Sequence, residues 1–413
     1  MRKGPTIAVV LIALGASTGP GASADLQDFA AVERGRYLAN AADCGSCHTI
    51  PGSEHPFSGG RPIETPFGVL AAPNITPDRE TGIGSWTNNE FDAAVRRGIS
   101  RNGARLYPAM PFPYYTRMSR EDVADIRAYL NTIAPVHNAV QVNRLPFPFN
   151  LRAAMIVWDR LYFTPGEFHD DVSKSKEWNR GAYLAQGPAH CGACHTPKTV
   201  LGGDKPSEAL RGYMLQGWTA PDITSGQGPL RNWSVDDIAE YLKAGHNKNA
   251  AAAGLMGEVV DLSTSKMTDQ DTRAIATYLK GVTGMAPGSS ATADKADKDV
   301  TAAGGAIFQD LCSACHQQDG KGVANMFPNL SEAATTSTQD PATVLRVILQ
   351  GAQSVATDRE PTGPAMPAFG WQLDDAQLAA VASYVRGRFG KNAPAVSADQ
   401  VRKARAALTA RTD

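Results

Sequence analysis

The chain has 413 residues, with 40 Lys and Arg against 41 Asp and Glu and a formal net charge of −1. That balance gives no electrostatic reason to expect a nucleic-acid partner. An apolar content of 42% is ordinary for a soluble globular protein, and the length suggests several domains.

In chain order, Arg2 and Lys3, the apolar run 7–14 and the small residues Ala22-Ser23-Ala24 read as a signal peptide over residues 1–24, with a mature chain from Asp25. The run is too short to span a bilayer, and no later stretch is long and apolar enough to do so. Export makes the six cysteines informative, because an oxidising compartment permits disulfides.

The cysteines fall in three copies of Cys-x-x-Cys-His: Cys44-Gly45-Ser46-Cys47-His48, Cys191-Gly192-Ala193-Cys194-His195 and Cys312-Ser313-Ala314-Cys315-His316. This is the attachment pattern of c-type haem, in which two thiols form thioethers to the porphyrin and the adjacent His reaches the iron. Disulfides or half zinc sites are the alternatives. The recurrence, the trailing His and the absence of any leftover cysteine favour three covalently bound haem c groups.

Each motif sits in a longer repeat. A helix with a Gly precedes it: Gly35-Arg36-Tyr37-Leu38, Gly181-Ala182-Tyr183-Leu184 and Gly304-Gly305-Ala306-Ile307-Phe308. These Gly and Tyr residues read as helix-packing residues. A Pro turn follows: Pro73-Asn74-Ile75-Thr76, Pro221-Asp222-Ile223-Thr224 and Pro328-Asn329-Leu330-Ser331. The middle helix has a capping box at Thr87 with Glu90 and at Ser234 with Asp237. It is expected to end in left-handed glycines at Gly98, Gly245 and Gly351. The last helix starts at Ser119, Thr268 and Asp374.

The pattern predicts an all-α fold of three tandem class I cytochrome c-like domains at 25–145, 175–284 and 298–390. An interdomain segment lies at 146–174, a linker at 285–297 and a basic tail at 391–413. In the segment 145–163, Leu151, Met155, Trp158 and Tyr162 share one helical face. That face is expected to pack on neighbouring domains. Docking to another subunit or lying on a membrane surface is the alternative.

A six-coordinate haem needs a second axial ligand opposite His48, His195 and His316, and Met is the usual one in electron-transfer cytochromes. Met110 and Met366 stand in Ala-Met-Pro loops, where the Pro keeps the Met out of the following helix. In the second repeat Met256 follows His195 at nearly the interval that separates His48 from Met110. Met267 is its competitor, but it stands where a hydrophobic staple belongs. Met118, Met155, Met214 and Met326 read as core residues. His190, next to Cys191, reads as solvated or structural. Three His/Met irons leave no open coordination site, which argues for a relay of one-electron centres with no catalytic residues of its own.

Further motifs carry a resemblance. They include Thr65-Pro66-Phe67-Gly68, Asn74-Ile75-Thr76-Pro77-Asp78, Leu145-Pro146-Phe147-Pro148-Phe149-Asn150, Glu177-Trp178-Asn179-Arg180-Gly181 and Glu258-Val259-Val260. With them the chain resembles the three-haem cytochrome c subunit of bacterial membrane-bound dehydrogenases acting on alcohols, sugars, sugar acids or aldehydes. The resemblance implies Met ligands at Met110, Met256 and Met366; Leu255 departs from it, where the family often has Pro. It implies a catalytic subunit carrying flavin, quinone cofactor or molybdenum, and ubiquinone or another cytochrome as acceptor. It also implies a place in the periplasm at the outer face of the inner membrane. The alternatives are the acceptor subunit of a molybdenum hydroxylase, a self-contained haem peroxidase with one open iron, and a non-haem metal-binding module.

Overall fold

The computed structural model describes residues 21–226, 228–284, 297–390 and 393–409. Most of the expected signal segment 1–24, nearly all of the linker 285–297 and the last residues of the tail lie outside them.

The first repeat contains α1 (Gly21–Ala41), α2 (Cys44–His48), β1 (Pro62–Thr65), β2 (Gly68–Ala71), α3 (Asn88–Arg97), α4 (Phe112–Tyr115), α5 (Arg120–Leu130) and β3 (Asn143–Arg144). After it comes α6 (Met155–Tyr162). The second repeat holds α7 (Lys176–Gln186), α8 (Gly192–His195), β4 (Tyr213–Leu215), β5 (Trp218–Ala220), α9 (Val235–Ala244), α10 (Gly254–Leu262) and α11 (Asp269–Gly281). The third holds α12 (Lys298–Leu311), α13 (Ser313–His316), α14 (Ala342–Gln350), β6 (Ala352–Gln353), β7 (Ala365–Met366) and α15 (Asp375–Arg388), with α16 (Ala398–Thr409) after it. The strands are short and antiparallel within a mostly helical chain: a three-stranded sheet β1-β2-β3 with Ile63 opposite Leu70 and Val69 opposite Arg144, and two pairs with Leu215 opposite Trp218 and Ala352 opposite Met366.

Each repeat is organised by one helix crossing, α1 on α5, α7 on α11 and α12 on α15. Glycine makes the crossing close. A Cβ on Gly35 would lie 1.8 Å from the Asp125 carbonyl oxygen, one on Gly181 1.8 Å from that of Ala274, and one on Gly304 2.1 Å from that of Ala380. No side chain fits at those distances, so the backbones touch there.

Three hydrophobic clusters form around these crossings. Leu38, Phe91, Met118 and Ile126 belong to the first, Leu184, Ile238, Met267 and Ile275 to the second, and Phe308, Leu345, Leu378 and Val381 to the third. The middle helices start as expected, with both halves of the capping box formed at Thr87/Glu90 and Ser234/Asp237. Gly98 and Gly245 end them in the left-handed region. Gly351 differs: its φ of 77° is positive, but its ψ of 179° is extended. The chain leaves α14 straight into β6, so a left-handed curl there would break the pairing of Ala352 with Met366.

The basic tail forms a docked helix. Val401 of α16 is fully buried in the third cluster, and Arg405 bonds the Gly370 and Leu373 carbonyls and the Asp375 carboxylate.

The first and second repeats meet reciprocally. Tyr37 of α1 donates its hydroxyl to Asp271 of α11 at 2.5 Å, and Tyr183 of α7 donates to Asp122 of α5. Tyr37 and Tyr183 hold the same place in their repeats, two residues after the crossing glycine. Asp122 and Asp271 likewise share one place, three residues after the helix cap. The third repeat has Ala306 and Gln377 at those places, and it attaches otherwise. His246 Nε2–H donates to the Val355 carbonyl at 2.9 Å, Thr357 to that of Ala244 at 3.1 Å, and the Asn329 amide to that of Asn249 at 3.1 Å.

Candidate haem sites

Each Cys-x-x-Cys-His copy forms a single helical turn directly after the long helix that opens its repeat. One turn of helix sets residues three apart on the same face, so the two thiols of each pair point the same way. The chain enters the first two turns through left-handed residues, Asp43 at φ 52° and His190 at φ 34°. All six cysteines are unpaired thiols. Among the described residues no three His, Cys, Asp or Glu side chains converge as a metal-ligand group.

The histidines share one arrangement. His48 Nδ1 lies 2.7 Å from the Pro73 carbonyl oxygen, His195 Nδ1 2.7 Å from that of Pro221, and His316 Nδ1 3.4 Å from that of Pro328. A carbonyl only accepts, so Nδ1 carries the proton and donates. The lone pair is then on Nε2, the tautomer a metal-binding imidazole needs, with the ring held in place by its other nitrogen. Burial pushes all three imidazoles below the ordinary histidine value, with the Pro carbonyl bond working against that fall. The fall favours the neutral ring, the form that metal ligation uses.

The Pro turns are built alike. Asn74 Oδ1 accepts from the Thr76 amide and hydroxyl, Asp222 Oδ1 from those of Thr224, and Asn329 Oδ1 from the Ser331 amide. These are Asx turns. They set the preceding Pro carbonyl where the imidazole finds it, so the second residue of each turn has a purpose that composition alone does not disclose.

The methionines reach the same clusters as the thiols. Met110, in the bend before α4, packs on the first cluster together with Cys44. Met256 packs on the second together with Cys191, and Met366, in β7, on the third together with Cys312. Met256 stands in the first turn of α10 and so differs from the two loop methionines. Met267 is 1% exposed in the second core, just before the Thr268 cap.

Burial also pushes the thiols up, to about 12 for Cys44 and Cys191 and to about 11 for Cys47 and Cys312. Asp43, beside Cys44, is likewise raised by burial, to about 7. The buried indole N–H of Trp233, in the cluster of Cys191 and Met256, has no partner among the described residues. It suits an anionic acceptor such as a porphyrin carboxylate. Two thiols, a neutral imidazole with Nε2 unprotonated and a thioether form the donor set that covalent haem uses, so these residues fit the group.

Sequence reasoning finds the motifs, the Pro turns and the Met candidates. It takes Tyr37 and Tyr183 as packing residues only, and the structure adds their bonds across the repeats. His190 is structural: its Nδ1 donates to the Pro188 carbonyl at 2.7 Å, and its ring meets the Tyr115 ring edge-on at 5.5 Å. Arg61 carries no signal in the sequence. It bonds the Ser46 carbonyl inside the first motif and Glu258 on α10 of the second repeat.

Comparison with known proteins agrees with this geometry. The cytochrome c family model matches residues 32–134 and 301–388. The gluconate 2-dehydrogenase cytochrome c subunit of Pantoea cypripedii is 36% identical, over 94% of this chain and 92% of that one. The cytochrome c subunit of the quinone alcohol dehydrogenase of Gluconobacter oxydans is 34% identical, over 98% of this chain and 88% of that one. A nicotinate dehydrogenase subunit of Pseudomonas putida is 39% identical over 89% of this chain, which spans 31% of that longer protein. The first two relatives are electron-transfer components and not catalytic subunits. With its thiols, imidazoles and long-range likeness to them, the chain belongs to the cytochrome c subunits of dehydrogenase complexes.

Proposed function

We propose that this chain carries three covalent haem c groups, one per repeat, and passes electrons singly from a dehydrogenase catalytic subunit to ubiquinone or a downstream cytochrome. The observation that carries the reading is the recurrence, in all three repeats, of a Cys pair, a His held through Nδ1 by a Pro carbonyl, and a Met in the same cluster. The ligand pairs are His48/Met110, His195/Met256 and His316/Met366. The relatives' names support a partner that oxidises an alcohol or a sugar acid, and the flavin or quinone cofactor proposed for it is what the family resemblance implies.

When bound, haem supplies a one-electron couple tuned by its axial ligands and burial. The chain does the rest. Cys44, Cys47, Cys191, Cys194, Cys312 and Cys315 anchor the group at fixed points. Pro73, Pro221 and Pro328 orient the imidazoles. The three clusters exclude water, the helix crossings shape each repeat, and the bonds between repeats, Tyr37 to Asp271, Tyr183 to Asp122 and His246 to Val355, set the separation of the sites. We place the protein on the periplasmic side, as the export signal read at 1–24 implies, and at the outer face of the inner membrane, as the family resemblance implies.

The likeness to the nicotinate dehydrogenase chain favours one second reading, an acceptor chain for a molybdenum hydroxylase. The test is to pull the native complex down through this chain, count haem c per chain and identify the partner's cofactor. Three haems with flavin or quinone cofactor support the first reading. Molybdenum supports the second, and fewer than three haems refutes the assignment of all three sites.

A further inference from the structure

We infer that the exposed apolar face of α6, with the loops beside it, seats the protein on the headgroup region of an anionic phospholipid bilayer. The inference rests on the reading of this chain as a peripheral component at a membrane surface, and it names the surface that makes the contact.

α6 is apolar on two faces. One is spent inside. Trp158 is buried edge-on against Phe112 at 6.2 Å, Met155 packs under the first sheet, and Tyr162 lies against Trp158 at 5.4 Å and over Gly203. This is the packing expected of the 145–163 segment, except that Leu151 is 50% exposed. The other face carries Ile156, Val157 and Leu161, the last two 60% exposed. A helix on a water-facing surface ordinarily carries polar side chains there.

The apolar surface continues beyond the helix. Phe147 ahead of it is 77% exposed, and Val200 in the second repeat is 93% exposed. These pieces are tied together. The Trp158 indole donates to the Leu201 carbonyl at 2.9 Å, which brings the loop of Val200 against α6. Phe67 meets Phe149 at 5.1 Å with the rings tilted by 51° and borders Gly202, so the loop ahead of α6 and the loop of the second repeat share one rim. A continuous exposed apolar patch of this kind marks an interaction site.

Charge selects the occupant. Between Arg144 and Glu167 the sequence has two further arginines, Arg152 and Arg160, and a single acid, Asp159. Asp159 is turned inward and held by Arg105 at 2.8 Å, whereas Arg144 and Arg160 are exposed. The rim therefore presents cations and no carboxylate from this segment. Apolar and aromatic side chains edged by arginine are the composition of an interfacial anchor on anionic lipid. Among the described residues no helix is long and apolar enough to cross a membrane, so the contact lies on the bilayer.

The test uses the full haem-loaded chain and flotation with vesicles of phosphatidylglycerol and phosphatidylcholine, against phosphatidylcholine alone. The wild type should bind the anionic vesicles more tightly. Ile156→Glu with Leu161→Glu should lower that binding roughly tenfold or more, and Arg144→Gln with Arg160→Gln should remove the preference for anionic lipid. Haem absorbance and co-purification of the catalytic subunit are followed in the same variants. If both are retained while the wild type ignores vesicles, or the Glu variant binds as well as the wild type, the membrane face is overturned and the electron-transfer reading stands. Loss of the catalytic subunit with unchanged vesicle binding would assign the face to that subunit. A dimer lost in the Glu variant, again with unchanged vesicle binding, would assign it to a second copy; either result overturns the proposal.

Discussion

Tyr37 and Asp271 stand 234 positions apart in sequence and share a hydrogen bond of 2.5 Å. The equivalent residues of the other repeat, Tyr183 and Asp122, share its counterpart. Two such bonds related by exchange of repeats are the mark of a two-fold contact, here made within one chain. Asp271 is also gripped by Arg180 through two bonds, at 2.7 and 2.8 Å.

Removing either phenol should loosen this contact. Tyr37→Phe leaves the ring in place and deletes both its bond to the carboxylate and the longer one it accepts from the Thr268 amide at 3.2 Å, for an expected loss of about 1.5–3 kcal/mol. Tyr183→Phe should behave alike, and the double variant should lose about the sum if the two bonds act independently. Urea midpoints of the haem-loaded chain measure this.

The same contact should weaken in acid. Burial works to raise the Asp271 carboxyl, but the bonds from Arg180 and Tyr37 outweigh it and hold it below the ordinary aspartate value of 3.8. A carboxyl depressed by folding stabilises the fold above its unfolded value and loses that contribution as pH falls through the folded one. The advantage of wild type over Asp271→Asn should therefore be complete at pH 7 and shrink below about pH 4. An advantage that grows in acid would contradict the assignment.

The two methionines of the second repeat should separate cleanly. Met256→Leu removes the proposed thioether ligand, so the second haem should lose its thioether-to-iron absorption and fall in potential. Met267→Leu exchanges one core side chain for another of like volume. It should cost less than about 1.5 kcal/mol and leave the spectrum unchanged. The reverse pattern would move the ligand to Met267.

Full His/Met ligation also predicts that the reduced native protein takes up no stoichiometric carbon monoxide. One equivalent bound at the second repeat would revive the peroxidase reading.

The crossing glycines give a stability test apart from haem chemistry. A Cβ at Gly181 collides with the Ala274 carbonyl, which is backbone and cannot swing away. Gly181→Ala should destabilise the second repeat by about 1–3 kcal/mol as α7 and α11 are pushed apart. Calorimetry of the haem-loaded chain reads this directly.

Much of this is legible in the sequence because it is local. The Cys-x-x-Cys-His turns, the capping boxes at Thr87 and Ser234 and the Pro turns each depend on residues within a few positions of one another. The bond from His48 to Pro73 spans 25 positions, yet it recurs with the repeat and so leaves a trace. What escapes depends on how repeats dock. Nothing near Tyr37 announces Asp271, and nothing near Arg61 announces Glu258, 197 positions away. Gly351 departs from the left-handed expectation because its neighbour β6 exists only through its pairing with Met366. The second face of α6 is silent in the sequence because helical periodicity identifies the side that packs and says less about an apolar side that does not.

Tyr37 meets Asp271 as Tyr183 meets Asp122, but the match stops there: Asp271 is also held by Arg180, whereas the equivalent Arg34 bonds Asp125 and not Asp122, and Arg61 of the first repeat reaches across to Glu258. The third repeat, with Ala306 and Gln377 in place of that pair, is seated on the second through His246, Ala244 and Asn249. On the proposed three-haem reading, the inequality that gives electron flow one sense has these unshared features to draw on: the Arg180 grip on Asp271, the Arg61–Glu258 pair, the helical setting of Met256 and the different seating of the third repeat.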